Sequence, residues 1–150
     1  MRERGASWVV VQAALLILLV LAPGGSAPAA YDGGVRLAGW IAGIIGMLLF
    51  LSSVLNLGRS FTPFPRPVDD GELVTHGVYR LVRHPMYLAA ILVCLGFSLA
   101  TASGARLLVT LVLFIFFDLK SRREERWLVE RYPAYRQYQQ QSKRLIPWVY

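Results

Sequence analysis

The run Gly77-Val78-Tyr79-Arg80-Leu81-Val82-Arg83-His84-Pro85-Met86-Tyr87 and, further along, the pair Glu124-Glu125 gather the residues of this sequence best suited to chemistry. Proline is at home at the first position of a helix, so His84 stands at a helix mouth, where free backbone N–H groups favour an anion. A glutamate accepts hydrogen bonds from amino or hydroxyl groups, and the rings of Tyr79 and Tyr87 offer π faces to a cation. Each piece also has a plain reading. A basic pair at a helix start and tyrosines nearby can anchor a membrane interface. Glu124 and Glu125 can form a solvated helix face, with Glu124 answering Lys120 one turn earlier. What favours function is the concentration of titratable groups where two apolar helices meet an interface. With two histidines and one cysteine, metal ligands are too few, and neither a phosphate loop nor a catalytic triad is present.

The elements that position these residues are apolar. The chain has 150 residues, of which 55% are hydrophobic, more than a soluble core of this size needs. Uncharged stretches run from Gly5 to Tyr31, Leu37 to Gly58, Pro85 to Ala105 and Leu107 to Phe117. The second and third are long enough to cross a hydrocarbon core of about 30 Å. Thr101 to Ala105 supply a Ser-Gly turn, and the last stretch is short, so the hairpin it closes is expected to cross less deeply or to thin the bilayer. The net charge of +7 does not form a basic patch with interleaved aromatics, which argues against nucleic acid. Of the 16 basic residues all but Arg36 and Arg106 flank the apolar stretches on one side, and the positive-inside rule makes that side, with both termini, cytoplasmic.

Arg2, Arg4, the apolar run Trp8 to Ala22 and Ala27-Pro28-Ala29 also resemble a signal peptide with its cleavage site, a rival reading of the first span. In the second span, Val35 to Leu57, Gly39 and Gly43 have the small-xxx-small spacing that lets helices approach closely. Pro63, Pro65 and Pro67 predict an extended connector between Arg59 and Asp70. The fourth helix is expected to continue past Asp118 to about Tyr132, where Pro133 stops it. Cys94 reads as a packing residue. The fold class is thus all-α: an integral membrane bundle of about four membrane helices with a cytoplasmic C-terminal helical extension.

Gly-Val-Tyr, Arg-His-Pro-Met-Tyr, then Glu-Glu with a following Tyr135 and Leu145-Ile146-Pro147 resemble the isoprenylcysteine carboxyl methyltransferases, bacterial members above all. The resemblance covers the chain from about Leu57 to its end, and the wider group includes phospholipid N-methyltransferases. It implies a cofactor-binding region in 58–150, while the first two spans match only in being apolar; with the two membrane helices read in 1–57 the chain is one membrane domain over 1–150. It implies methyl transfer from S-adenosylmethionine to a lipophilic or lipidated acceptor in a membrane, here a bacterial inner membrane. The positions matching the family's cofactor pocket are Leu73, Val74, Tyr79, His84, Pro85, Met86, Tyr87 and Glu124. The family's basic residue for the substrate carboxylate falls on Lys120, with Arg123 nearby. Lysine offers a point charge where arginine would offer a fork. No side chain is assigned as a nucleophile, because a sulfonium methyl is already activated and needs chiefly alignment and exclusion of water. Two other readings stand beside this one: the same cofactor with a phospholipid amine as acceptor, and a non-catalytic membrane subunit whose basic end grips anionic lipid.

Overall fold

The computed structural model describes residues 5–25, 33–62, 64 and 71–150, and those residues form a helical bundle. Its helices are α1 (Ala6–Leu21), α2 (Gly33–Leu57), α3 (Pro85–Ala100), α4 (Gly104–Arg131) and α5 (Tyr135–Gln141). Single 3-10 turns occupy Gly58–Ser60 and Gly77–Arg80. The proline-rich connector expected around Pro63, Pro65 and Pro67 lies outside the described residues.

Local signals set most boundaries. Pro85 occupies the first turn of α3 with His84 as its N-cap. Ser103 caps α4 by accepting a hydrogen bond from the Arg106 backbone N–H at 3.1 Å, which satisfies one donor of the open first turn. α4 ends at Arg131, with Tyr132 as C-cap just before Pro133. The third helix ends at the turn expected from Thr101 to Ala105. The uncharged stretch reaches Ala105, but the helix stops at Ala100, because Thr101 to Ser103 fold into a tight turn with Ala102 at φ 49°. Sixteen residues span about 24 Å. Only α2 with its following turn, Gly33–Ser60, is long and apolar enough to cross a membrane among the described residues, at a mean hydropathy of 2.1.

The bundle is held at two seams. α2 lies against α3 with backbones almost touching: a Cβ built on Gly96 would come within 2.5 Å of the Gly43 nitrogen and 2.6 Å of the Gly39 oxygen. One on Gly46 would meet the Ala89 carbonyl oxygen at 2.9 Å. The small-residue spacing read from the sequence thus has its counterpart in Gly96. On the other side Leu19 of α1 packs with Cys94, Leu113 and Phe117. Outward, α2 presents Leu37, Trp40, Ile41, Ile44, Leu48, Leu51 and Leu55, and α4 presents Leu108, Leu111, Ile115 and Leu119, all exposed. An apolar surface of this extent marks a lipid or protein contact.

Candidate functional site

A cavity of about 250 Å³ opens where the N-terminus of α3, the charged half of α4 and the segment after residue 71 converge. His84 enters it from the mouth of α3 and is 5% exposed. Its Nδ1 lies 3.6 Å from Glu124 Oε2 and its Nε2 3.3 Å from Glu125 Oε1, so the imidazole stands between the two carboxylates. The Tyr87 ring stacks on it at 5.3 Å and 4°. The Tyr87 hydroxyl donates to Glu124 Oε2 at 2.7 Å, which fixes that carboxylate on the cavity wall. Tyr79 is buried, and burial, then the charge of Glu124, pushes its hydroxyl well above its ordinary pKa. It remains a neutral donor at any physiological pH.

Eight of the ten residues singled out in the sequence line this cavity: Leu73, Val74, Tyr79, His84, Met86, Tyr87, Lys120 and Glu124. Pro85 and Arg123 do not. Pro85 is buried in the first turn of α3 and shapes the helix start. Arg123 is exposed on the outer face of α4, its guanidinium 4.9 Å from the centre of the Trp127 ring and its side chain turned about 100° from that of Glu124. Lys120 is 1% exposed, and its ammonium donates to Gln12 Oε1 at 2.6 Å.

Glu125 departs most from the sequence reading. A glutamate beside another on a charged helix reads as solvated, yet Glu125 is 4% exposed. Arg83 Nε donates to its Oε1 at 2.7 Å, and Arg144 Nε and Gln139 Nε2 donate to its Oε2 at 3.3 and 3.1 Å. Arg83 also bonds the carbonyls of Gln139 and Ser142. The chain's last segment is thereby drawn under the site. The Arg83 N–H donates to the Lys143 carbonyl at 2.8 Å and the His84 N–H to that of Arg144 at 3.1 Å. The side chain that lines the ligand space and the side chain that ties the floor are sequence neighbours, about 100° apart on one helix.

Sequence reasoning missed the cavity residues Gln12, Tyr132, Tyr135 and Tyr138. Gln12 is the single polar side chain in the apolar run of α1, a signal available in the sequence. The three tyrosines follow Glu124-Glu125 at intervals of three residues, which could have been read as one face of a short helix. Tyr138 donates to the Tyr79 carbonyl and Tyr132 to that of Gly71.

A family model described as phospholipid methyltransferase matches residues 35–135. A probable protein-S-isoprenylcysteine O-methyltransferase of Oryza sativa subsp. indica is 33% identical over 119 residues, which are 77% of this chain and 62% of that protein. The protein-S-isoprenylcysteine O-methyltransferase of Schizosaccharomyces pombe is 32% identical over 109 residues, 70% of this chain and 46% of that protein. The cobalt-zinc-cadmium resistance protein CzcN of Cupriavidus metallidurans is 37% identical over 79 residues, 50% of this chain and 35% of its own. This chain therefore spans between about a third and three-fifths of the length of these relatives. Among solved structures, the eukaryotic intramembrane Ras methyltransferase ICMT (isoprenylcysteine carboxyl methyltransferase) superposes with a TM-score of 0.70 at 22% identity. The match covers 96% of this chain and 53% of that one, so the two share a fold.

Proposed function

The chain belongs to the phospholipid methyltransferase family, and from that premise we propose that it methylates a lipophilic acceptor at the membrane face with S-adenosylmethionine as donor. The acceptor group is a carboxylate, in the manner of the isoprenylcysteine carboxyl methyltransferases among its relatives. One observation carries this reading: His84, Tyr87 and Glu124 converge on a cavity whose remaining wall is apolar, through Leu73, Val74 and Met86, with the cation of Lys120 at its edge.

The cavity suits the donor's chemistry. His84 and Glu124 bring titratable groups to a wall that is otherwise largely apolar. When bound, S-adenosylmethionine supplies a methyl group on a positively charged sulfur. The chain's own residues have the work of orientation. His84 holds a carboxylate, Glu124 accepts from amino or ribose groups, and the faces of Tyr79 and Tyr87 pack on the adenine or the sulfonium. Lys120 attracts an acceptor carboxylate and repels a protonated amine, which favours O-methylation over the phospholipid amine alternative. The exposed apolar faces of α2 and α4 support a bilayer setting, in which the acceptor's tail enters sideways.

The test is to supply methyl-labelled donor to membranes with and without the protein and to extract lipids and proteins separately. Label that mild alkali releases from the extracted material identifies an ester and supports the proposal. Alkali-stable label on a lipid amine would replace it, and no transfer to either fraction would refute both. The proposed location is a bacterial inner membrane with both termini cytoplasmic, so a reporter fused after Tyr150 should register inside.

Glu124→Gln should weaken S-adenosylmethionine binding roughly ten-fold or more, because a charge-assisted hydrogen bond in a partly dry site contributes about 1.5 to 3 kcal/mol. Arg123→Gln, on the outer face, is the control and should change it little. Equal, small effects in calorimetric titrations would return Glu124 to the solvated face.

A further inference from the structure

Three tyrosines of the C-terminal segment line the cavity, and they spend their hydroxyls differently. Those of Tyr132 and Tyr138 are committed to backbone carbonyls. That of Tyr135 is buried and has no hydrogen-bond partner, although the residue is only 1% exposed. The ring is not loose. It sits edge-on against Tyr138 at 5.6 Å and 72°, and its backbone N–H is tied to the Tyr132 carbonyl at 2.9 Å.

Burying a hydroxyl without a partner is unfavourable, and a phenylalanine of the same shape would avoid the penalty. The orphan is therefore informative about what the cavity receives. Burial, then the charges of Glu125 and Glu124, holds the Tyr135 hydroxyl far above its ordinary pKa, so it is a donor at every physiological pH and needs an acceptor. Of the groups on an aminoacyl sulfonium donor, the ammonium is itself a donor and belongs with Glu124. The carboxylate is the strongest acceptor, and Arg83 lines the cavity together with Tyr135.

We propose that the Tyr135 hydroxyl, which has no partner among the described residues, donates a hydrogen bond to the carboxylate of the methyl donor's amino-acid end, opposite Glu124 at the ammonium. This rests on the proposed function, and it makes Tyr135 a binding residue that distinguishes the full donor from its nucleoside fragment.

The experiment titrates wild type and Tyr135→Phe, both in lipid nanodiscs, with S-adenosylhomocysteine and with 5′-methylthioadenosine, which lacks the amino-acid end. Tyr135→Phe should bind S-adenosylhomocysteine roughly ten-fold to hundred-fold more weakly and methylthioadenosine as well as wild type does. The ligand-free variant should melt at the same temperature as wild type or higher, since no bond is lost. Unchanged affinity for S-adenosylhomocysteine would overturn the proposal. So would an equal loss for both ligands, which would place the hydroxyl on the nucleoside, or a lowered melting temperature, which would give it a structural role. A wild type that binds neither compound would overturn the proposed function and this inference with it. A wild type that binds both and a variant that matches it would overturn the inference alone.

Discussion

Glu125→Ala should lower stability by about 3 to 5 kcal/mol, the range for removing one member of a buried ion pair and leaving its partner uncompensated. Arg83 and Glu125 are 9% and 6% exposed at their side chains, so water cannot substitute for the lost carboxylate, and Arg144 and His84 lose the same anion. The effect carries a pH signature. Burial alone would raise the Glu125 pKa, but hydrogen bonds and charge from His84 and Arg83 outweigh it and lower the value from 4.5 to about 2. The folded protein therefore binds this proton less readily than the unfolded chain does. The corresponding stability is fully present above pH 4.5 and is lost as pH falls toward about 2. Denaturant melts across that window should show wild type losing stability more steeply than Glu125→Ala. Parallel curves would show that the ion pair contributes nothing to folding.

Gly96→Val should be comparably severe for a different reason. Even a Cβ at Gly96 would approach the α2 backbone to 2.5 Å, and backbone, unlike a flexible side chain, cannot swing aside. The branched side chain would force α2 and α3 apart along most of their seam. Overpacking typically costs about 1 to 3 kcal/mol, and here the upper end or more is expected. Gly43→Ala is the matched comparison, because a Cβ there meets nothing within 4 Å. Protease resistance in membranes should fall for Gly96→Val and hold for Gly43→Ala. Equal resistance of the two would mean that the seam has slack the geometry does not show.

How much of this was legible in the sequence depended on distance along the chain. The start of α3 at Pro85 and the end of α4 before Pro133 come from single residues acting on their own backbone, and both were readable. His84 and Glu124 were singled out by type and by motif, and the family resemblance built on them is borne out by the family match and the methyltransferase relatives. Glu125 was misjudged because burial is decided by what covers a helix. Its cover, Arg83, Gln139 and Arg144, comes from far-off segments with no shared periodicity. The same reason hid Gln12, which reaches Lys120 across 108 positions.

The pairing of residues 83 and 84 with the carbonyls of Lys143 and Arg144 sets an order of events during synthesis. The α2–α3 seam joins segments that leave the ribosome early, whereas the backbone donors of Arg83 and His84 wait for carbonyls made some sixty positions later. Until then Arg83 and Glu125 also lack half of their partners. The nascent protein would thus be anchored before it is able to hold a ligand. The cavity acquires its floor only once the segment around Lys143 and Arg144 has been made, later than the seam between α2 and α3.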